Sequence, residues 1–293
     1  MKLIDLIKIG KETISVLYPE REAGEMVFAY LEEAIGTKRH THIVEPDYKV
    51  AAEKAESILK DFDRMAVGEP LQYVIGKAWF YGRAFHVTSD VLIPRLETEI
   101  LCNTVISKSH STPKSKVLDM CTGSGCIAWT LALEMPTCEV TDVDISDGAI
   151  KIASTQDFME ETSQTGARSP KFIKADVLQA PEISLDASEG FDIIVSNPPY
   201  VMDKEKALMR KNVLDHEPHL ALFVADDDPL IFYRAVAQWA TKLLKKGGYG
   251  LVEINEALGE QTADVFRAAG FVNVSVIKDL TDRDRFVEFT RIN

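Results

Sequence analysis

Residues 116–128 have the sequence KVLDMCTGSGCIA, in which a short apolar run enters a glycine-rich turn and leaves it in a second apolar run. A tight turn of this kind between a strand and a helix lets the backbone approach a bound ligand closely, because glycine carries no Cβ atom. Its backbone N–H groups also point towards polar or anionic groups of the ligand. The segment predicts a ligand-binding loop formed by Cys121, Thr122, Gly123, Ser124 and Gly125.

Strands and helices alternate from this loop to residue 291. The candidate strands cover residues 116–120, 139–143, 171–175, 191–196, 250–255, 272–278 and 286–291. Helices are expected after the first, second, fourth and fifth strands, and this alternation is typical of a mostly parallel sheet covered on both faces. The last two strands have no helix between them, so they should pair antiparallel. The pattern predicts an α/β fold with a Rossmann-like, seven-stranded sheet.

The end of the second candidate strand carries Asp144, 19 residues after Gly125. A carboxylate at this place is positioned to accept hydrogen bonds from ribose hydroxyls. Asp142 lies on the same face of the strand but farther from the crevice, so Asp144 is the favoured ligand. Asp176 and Val177 follow the third strand and are candidates for contact with adenine. NAD stays open on these features alone, although the glycine order differs from G-x-G-x-x-G.

The fourth strand opens into SNPPY, residues 196–200. Pro198 and Pro199 fix the backbone and remove two donors, so the loop presents carbonyl oxygens in a rigid arrangement. An NH2 group could donate its two hydrogens to the Asn197 side-chain oxygen and the Pro198 carbonyl, while Tyr200 stacks on the attached planar group. We predict a substrate site over 197–200, with Asn197 and Pro198 catalytic in methyl transfer from S-adenosylmethionine to a planar, amide-like nitrogen. Asn197 also counts among the cofactor-binding candidates.

The first 68 residues have apolar side chains at helical spacing, with glycine at positions 36 and 68 where helices should end. The aromatic run WFYGRAFHV over 79–87 predicts a hairpin. With the site described above, these patterns predict a helical domain over 1–75, for substrate recognition or for packing, a β-hairpin linker over 76–95 and a methyltransferase domain over 96–293. A polar surface loop is expected over 107–116.

The net charge and the cysteines indicate which classes of partner and metal the protein is expected to bind. The net charge of −13 disfavours direct binding to nucleic acid, which relies on lysine and arginine to neutralise phosphates. Four cysteines without a CxxC pair predict buried thiols rather than a zinc site, and no metal is expected. Residues 1–10 include Asp5 and no long apolar run, so we expect no signal peptide, no membrane span and a cytoplasmic protein. A monomer is also expected, although no sequence pattern specifies the oligomeric state.

The NPPY loop after DMCTGSG and VDIS resembles that of class I methyltransferases acting on amino or amide nitrogen. Four further segments narrow the resemblance: GEPLQYVIG (68–76), VLIPRLETE (91–99), EPHLAL (217–222) and KDLTDRDR (278–285). Together they resemble the release-factor glutamine N5-methyltransferases of the PrmC/HemK type, over nearly the whole chain.

This resemblance implies methylation of the glutamine side chain in the Gly-Gly-Gln motif of class 1 peptide chain release factors. It implies that the loop at 121–125, Asp144 and Val177 contact S-adenosyl-L-methionine, and that 197–200 hold the glutamine. One departure is Cys121, because the family usually has glycine there. KAWF and CTGSGCIA are also similar to a sister family that methylates a ribosomal protein.

Several alternatives remain open on the sequence. A DNA or RNA amino-methyltransferase could use the same loop on a flipped base, but it is expected to carry a basic face. A non-catalytic module that only senses the cofactor is disfavoured by the intact Asn197, prolines and Asp144. A dehydrogenase is disfavoured by the glycine pattern. Arg95 and Glu97 could receive the substrate or form a structural contact.

Overall fold

The computed structural model describes residues 1–109, 114–181 and 190–292. These divide into two compact units. The first contains Met1–Lys77 together with Met209–Glu217, and the second contains Ala78–Leu208 together with Pro218–Asn293. The segment at 209–217 therefore packs with the helical unit, although it lies within the stretch that the sequence assigns to the methyltransferase domain.

The bounds of the elements are as follows. The helices are α1 (Leu3–Ile14), α2 (Glu20–Ile35), α3 (Thr41–Val44), α4 (Ala52–Ala66), α5 (Leu71–Ile75), α6 (Leu96–Ser109), α7 (Cys126–Glu134), α8 (Asp147–Ser154), α9 (Met159–Thr165), α10 (Lys211–His216), α11 (His219–Leu222), α12 (Ile231–Leu243) and α13 (Gly259–Ala268), with 3₁₀ turns at Asp203–Leu208 and Glu256–Leu258. The strands are β1 (Lys77–Phe80), β2 (Arg83–His86), β3 (Lys116–Met120), β4 (Glu139–Asp144), β5 (Lys171–Lys174), β6 (Phe191–Ser196), β7 (Val201–Met202), β8 (Phe223–Val224), β9 (Leu244–Glu253), β10 (Val272–Lys278) and β11 (Asp284–Thr290).

The helical unit is held by apolar stripes that α1, α2 and α4 bury against one another. Helix α1 approaches α4 closely at Gly10, where an added Cβ would lie 2.5 Å from Cε2 of the buried Phe62 ring. Pro19 precedes α2, and Gly36 ends it in the left-handed region at φ 71°. These local signals explain why the helices begin and end where they do.

The second unit begins at Ala78, the second residue of β1, which forms a hairpin with β2. Its two connecting residues, Tyr81 and Gly82, both have positive φ, at 50° and 72°, as a tight type I′ turn requires. Phe80 and Phe85 point into the core with their rings edge to face. Arg83 anchors the hairpin through ion pairs with Glu134 and Glu161.

The main sheet has seven strands in the order β10-β11-β9-β6-β3-β4-β5. Strands β9, β6, β3, β4 and β5 are parallel, whereas β11 runs antiparallel to both of its neighbours. The expected seven-stranded α/β fold is confirmed, including the antiparallel pairing of the last two strands. Helices α6 and α7 contribute to the apolar core on one side of the sheet, and α12 and α13 contribute to a second core.

The sequence placed some boundaries wrongly. Strand β9 begins at Leu244 rather than at residue 250, because Leu244 pairs with Phe191 across an irregularity in which Gly247 takes φ 73°. The expected polar loop over 107–116 is shorter, because α6 continues through Ser109 and β3 starts at Lys116. Residues 110–113 of that loop lie outside the described residues. Within the described ranges, no helix has the length and apolarity needed to cross a membrane.

Candidate active site

A cavity opens at the edge of the sheet where β3, β4 and β6 end. Carboxyl ends of parallel strands meet at this edge, which is where α/β proteins usually bind ligands. The cavity has about 1080 Å³ of empty space, part of which is continuous with solvent. Its lining includes most of the residues expected from the sequence to bind cofactor or substrate, namely Cys121, Thr122, Gly123, Ser124, Asp144, Asp176, Val177, Asn197 and Pro199.

The glycine loop is fixed to the neighbouring strand by its own backbone. The N–H groups of Cys121 and Thr122 both donate to the carbonyl of Val143, at 2.9 and 3.3 Å. Gly125 caps α7 at φ 79°, and a Cβ there would lie 2.9 Å from the Cβ of Ala153. Gly125 is therefore needed for the turn and for close helix packing, and it is not among the described residues that line the cavity.

Cys121 adopts the left-handed backbone conformation, as Gly123 and Gly125 of the same loop also do. Its φ is 65°, and this region costs a residue with a side chain roughly 1–2 kcal/mol. The same loop therefore tolerates a cysteine only by accepting backbone strain. Burial raises the pKa of the Cys121 thiol, and the nearby carboxylates of Asp144 and Asp119 raise it further, so the thiol stays neutral.

Asp144 connects the loop to the end of β4. Its Oδ2 accepts a hydrogen bond from the N–H of Gly123 at 3.0 Å, and its Oδ1 accepts one from the N–H of Ser146 at 2.9 Å. Burial raises the pKa of this carboxyl, and the two backbone donors oppose that rise. A carboxylate offers about four acceptor positions, so both oxygens can still accept hydrogen bonds from ribose hydroxyls.

Asp142 has a different environment from Asp144. It is fully buried and lies opposite Asp119 in the β3–β4 register. The hydroxyl group of Thr122 lies between the two carboxyl groups, 3.1 Å from Asp119 Oδ2 and 3.0 Å from Asp142 Oδ1. Burial raises the pKa of both carboxyls, and the charge of Asp119 further raises the pKa of Asp142. The pair is best described as two carboxyl groups that retain one proton beneath the glycine loop.

The residues that are present fit S-adenosylmethionine. Asp144 supplies acceptors for ribose, and the apolar side chains of Ile145, Val177 and Leu178 lie in the same cavity, where they can cover an adenine ring. Ser124 also lines this cavity, and its buried hydroxyl interacts with the Cys126 thiol. Asp176 uses its Oδ1 to accept from the N–H of Leu178 at 2.9 Å, which orders this side of the cavity.

The Asn197–Tyr200 loop enters the cavity from the end of β6. Ser196 fixes its start by donating to the carbonyl of Met120 at 2.7 Å. Asn197 is half-buried and donates from Nδ2 to Thr98 Oγ1 at 3.2 Å. Pro198 and Pro199 are buried and contribute no N–H donor. Asn197 therefore has its amide oxygen left for a further partner, because no described residue donates to it.

Two residues that the sequence did not single out lie behind this loop. Thr98 donates to Glu253 Oε2 at 2.7 Å, and the Tyr200 hydroxyl donates to Glu253 Oε1 at 3.0 Å. Glu253 is almost fully buried at the end of β9. A carboxylate within the apolar run of residues 249–254 was a usable signal in the sequence, because an unpaired buried charge is costly.

Not every expected site residue lines the cavity. Among the described residues, Pro198 and Tyr200 lie beside the lining, and Tyr200 packs its ring against the core. Their roles in holding a substrate remain predictions. Arg95, which the sequence left open, does line the cavity.

The sequence matches two family models. Residues 11–76 match the PrmC N-terminal domain, and residues 88–221 match the methyltransferase small domain. A release factor glutamine methyltransferase of Flavobacterium psychrophilum is 36% identical over 94% of this chain and 95% of its own length. One from Bacteroides thetaiotaomicron is 36% identical over 96% of this chain and 97% of its own length. A crystal structure of the release factor-specific protein-(glutamine-N5) methyltransferase of Alicyclobacillus acidocaldarius aligns with 71% of this chain and 100% of that chain, at 28% identity and a TM-score of 0.41.

Proposed function

The chain belongs to the family of release factor glutamine methyltransferases, and we propose that it methylates the side-chain amide nitrogen of glutamine in the Gly-Gly-Gln motif of class 1 release factors. S-adenosyl-L-methionine is the methyl donor. The observation that carries the proposal is that Asp144 and Asn197, from two different strands, line one cavity. A ribose acceptor and an amide acceptor at one sheet edge suit transfer between a nucleoside cofactor and an amide.

The proposed roles follow from the hydrogen-bonding capacity of each group. When bound, the cofactor would supply an electrophilic methyl group and leave as S-adenosyl-L-homocysteine, and the glutamine nitrogen would lose one of its two hydrogens as a proton. The Asn197 amide oxygen and the Pro198 carbonyl accept the two hydrogens of the glutamine NH2, and the Tyr200 ring covers its planar face. An amide nitrogen is a poor nucleophile because its lone pair is delocalised, so fixing its position supplies much of the rate. The two acceptors bind more strongly as positive charge develops on nitrogen, which stabilises the transition state over the ground state.

Mass spectrometry of a purified class 1 release factor tests the proposal. After incubation with this protein and S-adenosyl-L-methionine, we expect one added methyl group on the Gly-Gly-Gln glutamine. Asn197→Ala should abolish the gain, whereas Asn103→Ala, an exposed control on α6, should retain it. No methylation of the release factor by folded protein that binds the cofactor would refute the proposal.

We also propose that the helical unit recognises the release factor away from the Gly-Gly-Gln loop. The unit exposes apolar side chains at Val16 and Val67, which are 84% and 75% exposed. Val16→Asp with Val67→Asp should raise KM for full-length release factor and leave KM for a short Gly-Gly-Gln peptide unchanged. Leu280→Asp, at a 95% exposed position of the second unit, is the matched control. Equal KM values for full-length factor in all variants would contradict this role.

The proposal also covers the cellular location and the oligomeric state of the protein. A cytoplasmic monomer that does not bind nucleic acid directly agrees with the net charge of −13 and with the free cysteines of the described residues. Light scattering after gel filtration measures the mass, for which 32.6 kDa is expected. Binding to DNA or RNA at low salt, measured by fluorescence anisotropy, should be undetectable.

A further inference from the structure

Thr98 and Glu253 connect the two side chains of the proposed glutamine site from behind. We infer that they are positioning residues that fix the Asn197 amide with its oxygen towards the substrate and hold Tyr200 in place. This inference rests on the proposed function, and it gives a functional role to two residues outside the NPPY loop. They lie on α6 and β9, 155 residues apart in the chain.

The direction of each hydrogen bond follows from the atoms available. An ionised Glu253 has acceptors only, so the single hydroxyl hydrogen of Thr98 must point to Glu253. Thr98 Oγ1 can then only accept, and the only donor on the Asn197 side chain is its NH2 group. The amide of Asn197 is therefore oriented with Nδ2 towards Thr98 and Oδ1 away from it.

This orientation matters because the oxygen and the NH2 group of an asparagine amide are nearly equal in shape and could exchange places. The flipped amide would present NH2 to the NH2 of a glutamine, which places donor against donor. The hydrogen bonds from Asn197 to Thr98 and from Thr98 to Glu253 therefore leave only the Asn197 oxygen, an acceptor, facing the substrate. Positioning by groups behind the site is a common requirement for precise catalysis, because the reacting groups must be held in narrow geometry.

Glu253 also holds the second side chain of the loop. Its other oxygen accepts from the Tyr200 hydroxyl, so one carboxylate sets both Asn197 and Tyr200. Burial raises the pKa of Glu253, and the hydrogen bonds from Thr98 and Tyr200 and the charge of Arg285 oppose the rise. The titratable groups that face it from the surrounding elements are Glu97 and Cys102 on α6, Cys126 on α7, Tyr200, Tyr233 on α12 and Arg285 on β11.

Substitution of Thr98 tests the first link. Thr98→Val keeps the shape and removes the hydroxyl, and we expect kcat to fall about 10-fold or more, with little change in the Kd for S-adenosyl-L-homocysteine. Thr98→Ser keeps the hydroxyl and should restore kcat to within about threefold of wild type. Thr104→Val is the control, because Thr104 lies on the same helix and donates only to the carbonyl of Ile100. Equal kcat in Thr98→Val and wild type would overturn the inference.

The pH profile tests the second link. Protonation of Glu253 places a hydrogen where the Thr98 hydroxyl must donate, so kcat of the wild type should fall as the pH drops through the raised pKa of Glu253. Glu253→Gln cannot accept from Thr98 and Tyr200 with both of its side-chain atoms. Its kcat should be low at all pH values and lack this acid limb. An unchanged acid limb in Glu253→Gln would contradict the role of Glu253.

A readout without substrate separates this inference from the proposed function. The chain has six asparagines, so the side-chain NH2 signals of ¹⁵N-asparagine protein can be assigned by substitution. The Asn197 NH2 signal should show slow hydrogen exchange in wild type and fast exchange in Thr98→Val. Wild-type protein that fails to methylate release factor but shows this protection would refute the proposed substrate alone. Methylation by wild type without such protection would refute the positioning role alone.

Discussion

Neutralising Asp144 should weaken cofactor binding strongly, whereas the same change two residues earlier should not. Asp144→Asn keeps the shape of the side chain but removes its charge. Its Oδ1 and Oδ2 accept from the N–H groups of Ser146 and Gly123, so the new NH2 must face one of two donors. Asp142→Asn is the matched control, because Asp142 lies on the same strand but is not among the described residues that line the cavity.

The magnitude follows from the hydrogen bonds that the carboxylate can make to a ribose. A hydrogen bond to a charged group contributes about 1.5–3 kcal/mol, against about 0.5–1.5 kcal/mol for a neutral pair. Two ribose hydroxyls that lose the charge assistance therefore cost roughly 2–3 kcal/mol, which is about 30- to 150-fold in Kd. Asp142→Asn changes a buried carboxyl that lies outside the described cavity lining and whose pKa burial raises, so Kd should stay within about threefold.

Isothermal titration with S-adenosyl-L-homocysteine measures both constants. Circular dichroism and thermal unfolding establish that each variant is folded at the temperature of the titration. Asp144 is not the ribose ligand if Asp142→Asn weakens binding as much as Asp144→Asn, or if Asp144→Asn binds like the wild type. The first result would place the ribose contact one pair of residues deeper in β4.

Three further predictions concern stability. The folded Asp119–Asp142 pair keeps a proton that the unfolded carboxyls lose near their ordinary pKa. As the pH rises above that range, the free energy of unfolding of the wild type should therefore fall by up to about 1.4 kcal/mol per pH unit relative to Asp142→Asn. Urea unfolding at several pH values measures this difference, and a difference that does not change with pH would contradict the prediction. Cys121→Gly should raise the free energy of unfolding by about 0.5–1 kcal/mol, because relief of strain at φ 65° exceeds the entropy gained by the unfolded chain; a lower Tm would contradict this. Gly250→Ala should lower the free energy of unfolding by about 3 kcal/mol, because the new Cβ would lie 2.1 Å from Phe289 Cζ. A double-mutant cycle with Phe289→Leu should show a coupling energy above about 1 kcal/mol.

Much of the fold could be predicted from local patterns. The apolar runs at 116–120 and 191–196 matched β3 and β6 to the residue, because buried parallel strands carry continuous apolar sequence between clear turn signals. Strand β9 was placed wrongly because its first half, Leu244–Gly248, contains two lysines and two glycines and follows α12 without a break. Pairing with Phe191 keeps that half in the sheet, and such pairing is not visible in a local pattern.

The site was predicted in part. Asp144 and Asn197 stood out because each follows an apolar strand, and strand ends of a parallel sheet are exposed to ligands. Ala153 and Trp129 leave no room for a Cβ at Gly125, so this glycine is needed for packing, and its contact with the cofactor stays a prediction. Asp144 lines the cavity, whereas Asp142 is fully buried beside Asp119 and does not belong to the described lining, so the preference for Asp144 as the ribose ligand stays a prediction that this placement favours.

The sequence by itself determined the order of strands and helices, the glycine turn and the chemistry of the NPPY loop, because these depend on residues that are close in the chain. Only the tertiary structure decided which groups act on them. Thr98 and Glu253 reach Asn197 and Tyr200 from other elements, across 99 and 53 residues of chain. Their directions depend on how α6 and β9 pack beside β6, and a buried hydrogen bond is set by that packing rather than by the identity of either residue.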